Sequence, residues 1–196
     1  MSERPVSEPI VEVRALGDTD RAGFAALMDA QGFGCFCRYW HFTGTKHEWQ
    51  ARLAFEPERN EAEQFRDPCA DDARGLVAYV QNTLVGWLKI APHTALPKLL
   101  AQPVYKSTAS PPDAHAVACF LVHPEWRRHG VARALLRAAP TFAREHGARW
   151  LYGYPRRHDG ILPDAQALAG PGTLFRELGF ALWHDAPPYP IWRLAL

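Results

Sequence analysis

No stretch of this chain approaches the roughly 20 consecutive apolar residues that cross a bilayer, and no charged-then-apolar leader opens it. Neither familiar phosphate-loop signature is present, since GxxxxGK[ST] and GxGxxG are both missing. Charge of one sign is lacking too. Twenty-two Lys and Arg oppose 21 Asp and Glu, and a net charge of +1 gives no field to gather nucleic acid or an anionic membrane. Cysteines are few: Cys35, Cys37, Cys69 and Cys119. Cys35-x-Cys37, with His41 nearby and Cys69 as a fourth ligand, is the one set that suggests zinc, but its spacing is not CxxC and there is no second pair. The expectation is no metal, reduced and packed thiols, and a cytoplasmic protein without nucleic-acid or membrane partners.

What is present suits one domain. A chain of 196 residues, 47% hydrophobic and 22% charged, is long enough for a sizeable core. Seven tryptophans and 17 prolines are the unusual entries in its composition, and they concentrate outside residues 116–154.

That segment organises the rest. Residues 116–122 are apolar on both faces, with Val117, Cys119 and Leu121 on one and Phe120 and Val122 on the other, as in a strand buried within a sheet. His123-Pro124 ends the strand. Arg127-Arg128-His129-Gly130-Val131-Ala132 follows, then Val131, Leu135, Ala138 and Phe142 at helical spacing, with Gly147 as the stop. Residues 150–154 read as a further strand. A helix N-terminus presents unpaired amides and the positive end of its dipole, so the loop suits an anion such as a pyrophosphate, with arginines adding charge. Gly130 leaves room for a close ligand, and Ala132 is small for the same reason. Pro140 interrupts the helical pattern and predicts a kink.

Arg127-x-x-Gly130-x-Ala132 after a strand ending Val122-x-Pro124 resembles the acetyl-CoA signature of the GCN5-related N-acetyltransferases. Residues 174–180, LFRELGF, are similar to the family's second landmark, a short helix ending at Gly-Phe. A Cys-aromatic-Cys segment at 35–37 resembles one bacterial subgroup. The resemblance covers roughly residues 10–196 and implies an α/β fold: a mixed, mostly antiparallel central sheet flanked by helices, with the strand at 116–122 splaying from the next. It further implies that Phe120, Leu121 and Val122 meet the pantetheine arm, and that Arg127 and the amides of Arg128, His129, Gly130, Val131 and Ala132 hold the pyrophosphate. Many members place a tyrosine where this chain has Phe175, its hydroxyl serving the CoA sulfur. Phe175 is thus assigned to the cofactor site as a departure from that pattern.

The remaining chain is read around this centre. Residues 1–9 are expected to fray, and 10–15 to form an edge or near-edge strand. Asp18 or Asp20 caps a helix through Met28 that Gly32 stops. Residues 32–42, GFGCFCRYWHF, read equally as a hydrophobic plug or as a lid of the acceptor site. Residues 46–66 form a helix broken at Pro57. Residues 75–80 and 83–91 make a hairpin whose Gln81-Asn82 turn has no glycine to declare its type. Residues 92–115 read as an irregular insertion, 155–171 as little more than loop apart from 165–169, and 180–184 and 191–196 as closing strands.

The chemistry expected is transfer of an acetyl group from acetyl-CoA to a small or medium-sized amine by direct attack. That reaction needs a neutral amine, a polarised carbonyl and a proton for the leaving thiolate. A backbone amide near Val122 is the expected polariser. His123 is the first base considered, beside His115, Asp113 and Glu125. Thr173, then Tyr152 or Tyr154, would supply the proton. Cys35, Cys37, Tyr39, Trp40 and Trp87 would wall the acceptor, with Tyr154. The alternative is a non-catalytic acyl-CoA-binding or sensing protein on the same fold. A homodimer is compatible with either.

Overall fold

In a computed structural model, which describes residues 10–106, 111–158 and 168–196, seven strands form one sheet. They are β1 (Glu12–Ala15), β2 (Gly75–Val80), β3 (Thr83–Pro92), β4 (Ala114–Val122), β5 (Trp150–Gly153), β6 (Ala181–His184) and β7 (Ile191–Ala195). Their spatial order is β1-β2-β3-β4-β5-β7-β6. Among the described strands only β4 and β5 run parallel. The helices are α1 (Arg21–Gln31), α2 (Lys46–Phe55), α3 (Pro57–Gln64), α4 (Pro97–Leu100), α5 (Pro103–Lys106), α6 (Val131–Glu145) and α7 (Gly172–Glu177). The sheet is mixed and mostly antiparallel, with helices on both faces, as the resemblance implied.

Periodicity explains the two layers. Val131, Leu135, Leu136, Ala139, Phe142 and Ala143 bury one stripe of α6 against Leu76, Val85, Leu88 and Ile90 of the sheet. Phe24, Leu27 and Met28 of α1 cover the other face around Val77 and Trp87. The α6 stripe continues across Pro140 without interruption, so the expected kink does not break the helix. Gly147, at φ +83°, closes α6, and the Ala148 amide bonds back to Ala143 O.

Several local expectations change. Asp20 sits at the head of α1, but its side chain takes no amide of that helix. Its carboxylate instead accepts from Arg14 Nη1 at 2.7 Å, from the Tyr79 hydroxyl at 2.5 Å and from the Gly17 amide at 2.8 Å. Gln81 and Asn82 both have positive φ, +47° and +64°, which makes the hairpin turn type I′. The insertion is not irregular where described. It forms a 3-10 turn (His93–Ala95), α4 and α5, and buries Leu96, Leu99 and Tyr105. β4 accordingly starts at Ala114, two residues early. Most of the segment read at 165–169 lies outside the described residues.

The largest correction is inside β4. Lys89 pairs with Cys119 and Ile90 with Val117, so Ala118 is an extra residue, a β-bulge. Strict alternation had placed Val117 with Cys119 and Leu121. With the bulge, Val117 packs beside Phe120 toward α6, while Cys119 and Leu121 turn toward α1.

Candidate active site

β4 and β5 pair only from Ala114 to Val117 against Trp150 to Gly153. Beyond that point β4 runs on through Ala118–Val122 with β3 on one side and, among the described residues, no strand on the other. Backbone polar groups on such an edge seek partners. Two cavities of about 540 and 520 Å³ lie along this open stretch.

Phe120, Leu121 and Val122 line the first cavity, with Arg127, Arg128, Gly130, Val131, Ala132 and Thr173. Gly130 is the N-cap of α6 at φ +79°, and no side chain caps the helix. Nothing lies within 4 Å of where its Cβ would stand. The first amides of a 15-residue helix therefore face open space beside three arginines, Arg127, Arg128 and Arg133. Arg128 is itself left-handed at φ +64°. Arg133 pairs with Glu177 of α7 at 2.6 Å, linking the two helices across the cavity. The donor set and the space suit a pyrophosphate.

His129 and Phe175 do not line this cavity. The His129 Nδ1 donates to Arg127 O at 2.8 Å and its ring meets Trp126 edge-on. Phe175 is fully buried, packed against Phe120 and Phe180. Its ring covers Gly153 so closely that no Cβ fits there. The departure at this position is thus a core residue rather than part of the cavity wall.

The second cavity is lined by Cys35, Cys37, Tyr39, Trp40, Tyr154, and Val117–Cys119 of the bulge. Trp87 is not a wall. It is fully buried, and its Nε1 donates to Cys37 Sγ at 3.2 Å. The segment at 32–42 is both plug and wall: Phe36 and Cys37 join the core beneath α1 while Tyr39 and Trp40 face the cavity. Tyr105, Arg156 and Tyr189 line it as well.

The proton-handling candidates separate. The Tyr154 hydroxyl and His93 Nε2 share a hydrogen bond at 2.8 Å, and burial pushes the tyrosine up and His93 down to about 4. His93 is thus neutral, and the Tyr154 hydroxyl is engaged with its ring. Thr173 borders the first cavity. His123 lines neither; its Nδ1 accepts from the Glu125 amide at 3.4 Å and caps the turn after β4. His115 is buried at the far end of β4, pushed down to about 4 by burial. Asp113 faces Arg149 at 3.7 Å, and Glu125 lines neither cavity.

Sequence reasoning missed Gln31. Its Nε2 donates to Val122 O at 2.7 Å and its Oε1 accepts from Arg127 Nη2 at 2.8 Å, joining the end of α1 to the strand end and the basic loop. No local pattern announces that contact. Lys89, a lone charge in the apolar run 84–91, was also missed, although that isolation was a visible signal.

Residues 35–158 match the model of the acetyltransferase (GNAT) family. The chain belongs to that family. The match spans the second cavity's cysteines, the bulge and the basic loop of this GNAT domain. Solved structures agree in fold. The GNAT domain of S. lividans PAT is 17% identical, covering 99% of this chain and 100% of that one at a TM-score of 0.56. The PaiA N-acetyltransferase of Thermoplasma acidophilum, in complex with coenzyme A, is 12% identical over 95% and 99% at 0.54. A GNAT family acetyltransferase of Brucella melitensis, in complex with acetyl-CoA, is 17% identical over 95% and 88% at 0.50. None of the curated proteins matches the sequence. Among the described residues no helix is long and apolar enough to cross a membrane.

Proposed function

We propose that this GNAT protein moves an acetyl group from acetyl-CoA to the amine of a small or medium-sized acceptor by direct attack. The observation that carries the reading is the pair of cavities on one splayed strand. The basic cavity at Phe120–Val122 suits the donor, the aromatic one at Val117–Cys119 suits the acceptor, and Leu168 borders both. The likeness to structures bound to coenzyme A and acetyl-CoA supports the choice of donor.

Arg127, Arg128 and the amides from Gly130 to Ala132 would hold the pyrophosphate, and the free edge of β4 would bond the pantetheine arm. An amine held beside the thioester carbonyl gains the proximity that makes attack effectively unimolecular. A backbone amide of the free edge polarises that carbonyl. The leaving thiolate has an ordinary pKa of about 8.5, so Thr173 or water suffices as proton source. The alternative, an acyl-CoA sensor, needs only the first cavity. The test is CoA release with an amine panel: release supports transfer, and binding of acetyl-CoA without release supports the sensor.

A further inference from the structure

Gln31 is the last residue of α1, and Gly32 ends the helix behind it at φ +67°. Its spacing from Phe24, Leu27 and Met28 puts it on the stripe that those side chains bury against the sheet. A carboxamide at the end of an apolar stripe needs partners where it lands. Gln31 lands half-buried on the wall of the donor cavity.

Its two partners both belong to the donor side. The His123 amide donates to Val85 O at 2.8 Å, on the β3 side of the strand. A trans peptide points its C=O and N–H in opposite directions, so the Val122 carbonyl faces the open edge. Gln31 Nε2 donates to that carbonyl at 2.7 Å, and Gln31 Oε1 accepts from Arg127 Nη2 at 2.8 Å. A carbonyl only accepts and a guanidinium only donates, so the two neighbours together dictate which end of the carboxamide faces which. Anchored on the strand, the oxygen is aimed at Arg127. Glutamate has no hydrogen for Val122 O, and asparagine is one methylene shorter.

The three arginines of the cavity are held differently. Glu177 opposes the charge of Arg133 at 2.6 Å. Arg128 is exposed, on the left-handed residue of the loop. Arg127 is half-buried and is oriented by a neutral amide, which does not oppose its charge. A long side chain ordered beforehand loses less rotamer freedom when it grips an anion.

We propose that Gln31 is a positioning residue of the donor site, holding Arg127 against the end of β4 so that its guanidinium meets the pyrophosphate of an acyl-CoA already oriented. This rests on the donor half of the acetyl-transfer reading. Gln31 acts through Arg127, so its contribution exists only while Arg127 is present. It is also electrostatic in effect although Gln31 carries no charge.

Calorimetric titration with acetyl-CoA reads this without any acceptor amine. Gln31→Met and Arg127→Met should each weaken binding about tenfold, and the double variant should also lose about tenfold rather than about a hundredfold, because the two residues form one unit. Binding by the parent should weaken as salt is added. That dependence should become shallower in Gln31→Met, to the level of Arg127→Met, although this substitution removes no charge. A merely structural brace would leave the salt dependence alone and would add to the loss of Arg127. Gln31→Glu keeps an oxygen for Arg127 but opposes its charge, and should bind at least as weakly as Gln31→Met. Parental affinity in Gln31→Met or Gln31→Glu, additive losses in the double variant, or an unchanged salt dependence overturns the proposal. Failure of the parent to bind acetyl-CoA overturns the donor assignment and this inference with it, whereas binding by the parent with any of those results removes only Gln31.

Discussion

The two cavities are built in opposite ways. The donor side comes mainly from one continuous segment, the end of β4, the basic loop and the head of α6, with α7 and Gln31 closing it. The acceptor side gathers Cys35 to Trp40, Leu99 to Tyr105, the bulge of β4, Tyr154 to Arg156 and Tyr189. Contiguous chain makes a site whose geometry follows from local rules of strand end, turn and helix start. Dispersed chain makes one whose geometry follows from packing. The donor side should therefore yield to single backbone changes, and the acceptor side to loss of side-chain volume.

The sharpest break is at Gly130. Acetyl-CoA at 100 times its dissociation constant should stabilise the parent by about 2.7 kcal/mol through mass action. Gly130→Val should remove that gain altogether, because its branched side chain occupies the open space and must adopt a left-handed backbone. Gly147→Val is the control, since Gly147 is also left-handed with open space around it but lies at the other end of α6. Both variants should melt lower, and only Gly147→Val should still respond to acetyl-CoA. An equal response from Gly130→Val would remove the donor site from this loop.

On the acceptor side, Trp40→Ala should raise the KM of the amine about tenfold, near 1.4 kcal/mol, and leave that of acetyl-CoA within about twofold. The reverse pattern would assign the 35–42 wall to the donor.

A third measurement addresses two buried histidines that line neither cavity. His93 and His115 are held neutral in the fold, each pushed down to about 4 from 6.5. Between those values the unfolded chain binds protons that the folded chain refuses. Stability is therefore fully present above pH 6.5 and falls as pH drops toward 4, by about 1 kcal/mol per histidine at pH 5.5. Melting temperatures across pH 4–7.5 check this, and a flat profile would mean that these rings accept protons in place.

The smallest effect is expected at Phe175. Its ring lies in the core over Gly153, so Phe175→Tyr should change the rate by less than about tenfold while lowering stability by about 1–3 kcal/mol for a buried hydroxyl without a partner. A gain of several hundredfold would show that a missing proton donor limits the protein, and would favour the sensor.

By itself the sequence determined whatever is local. The apolar run at 116–122, the proline after it, the glycine opening α6 and the 3.6-residue stripe to Phe142 were legible because each reflects backbone preferences or periodicity within a few residues. Tertiary structure decided the rest. The bulge at Ala118 is a mismatch between two strands, so a period-2 reading of one strand put Val117 on the wrong face. Trp87 looked like a site residue by type and Phe175 by its place in the family's second landmark, and both became core, because only the packed neighbours determine which side of a strand or helix meets a cavity. Gln31 reaches Val122 and Arg127 across more than 90 positions, a contact that no spacing encodes. Lys89 carries the same lesson in its electrostatics: a lysine's charge state depends on how much water the fold leaves around it, and burial is a property of the whole packed chain.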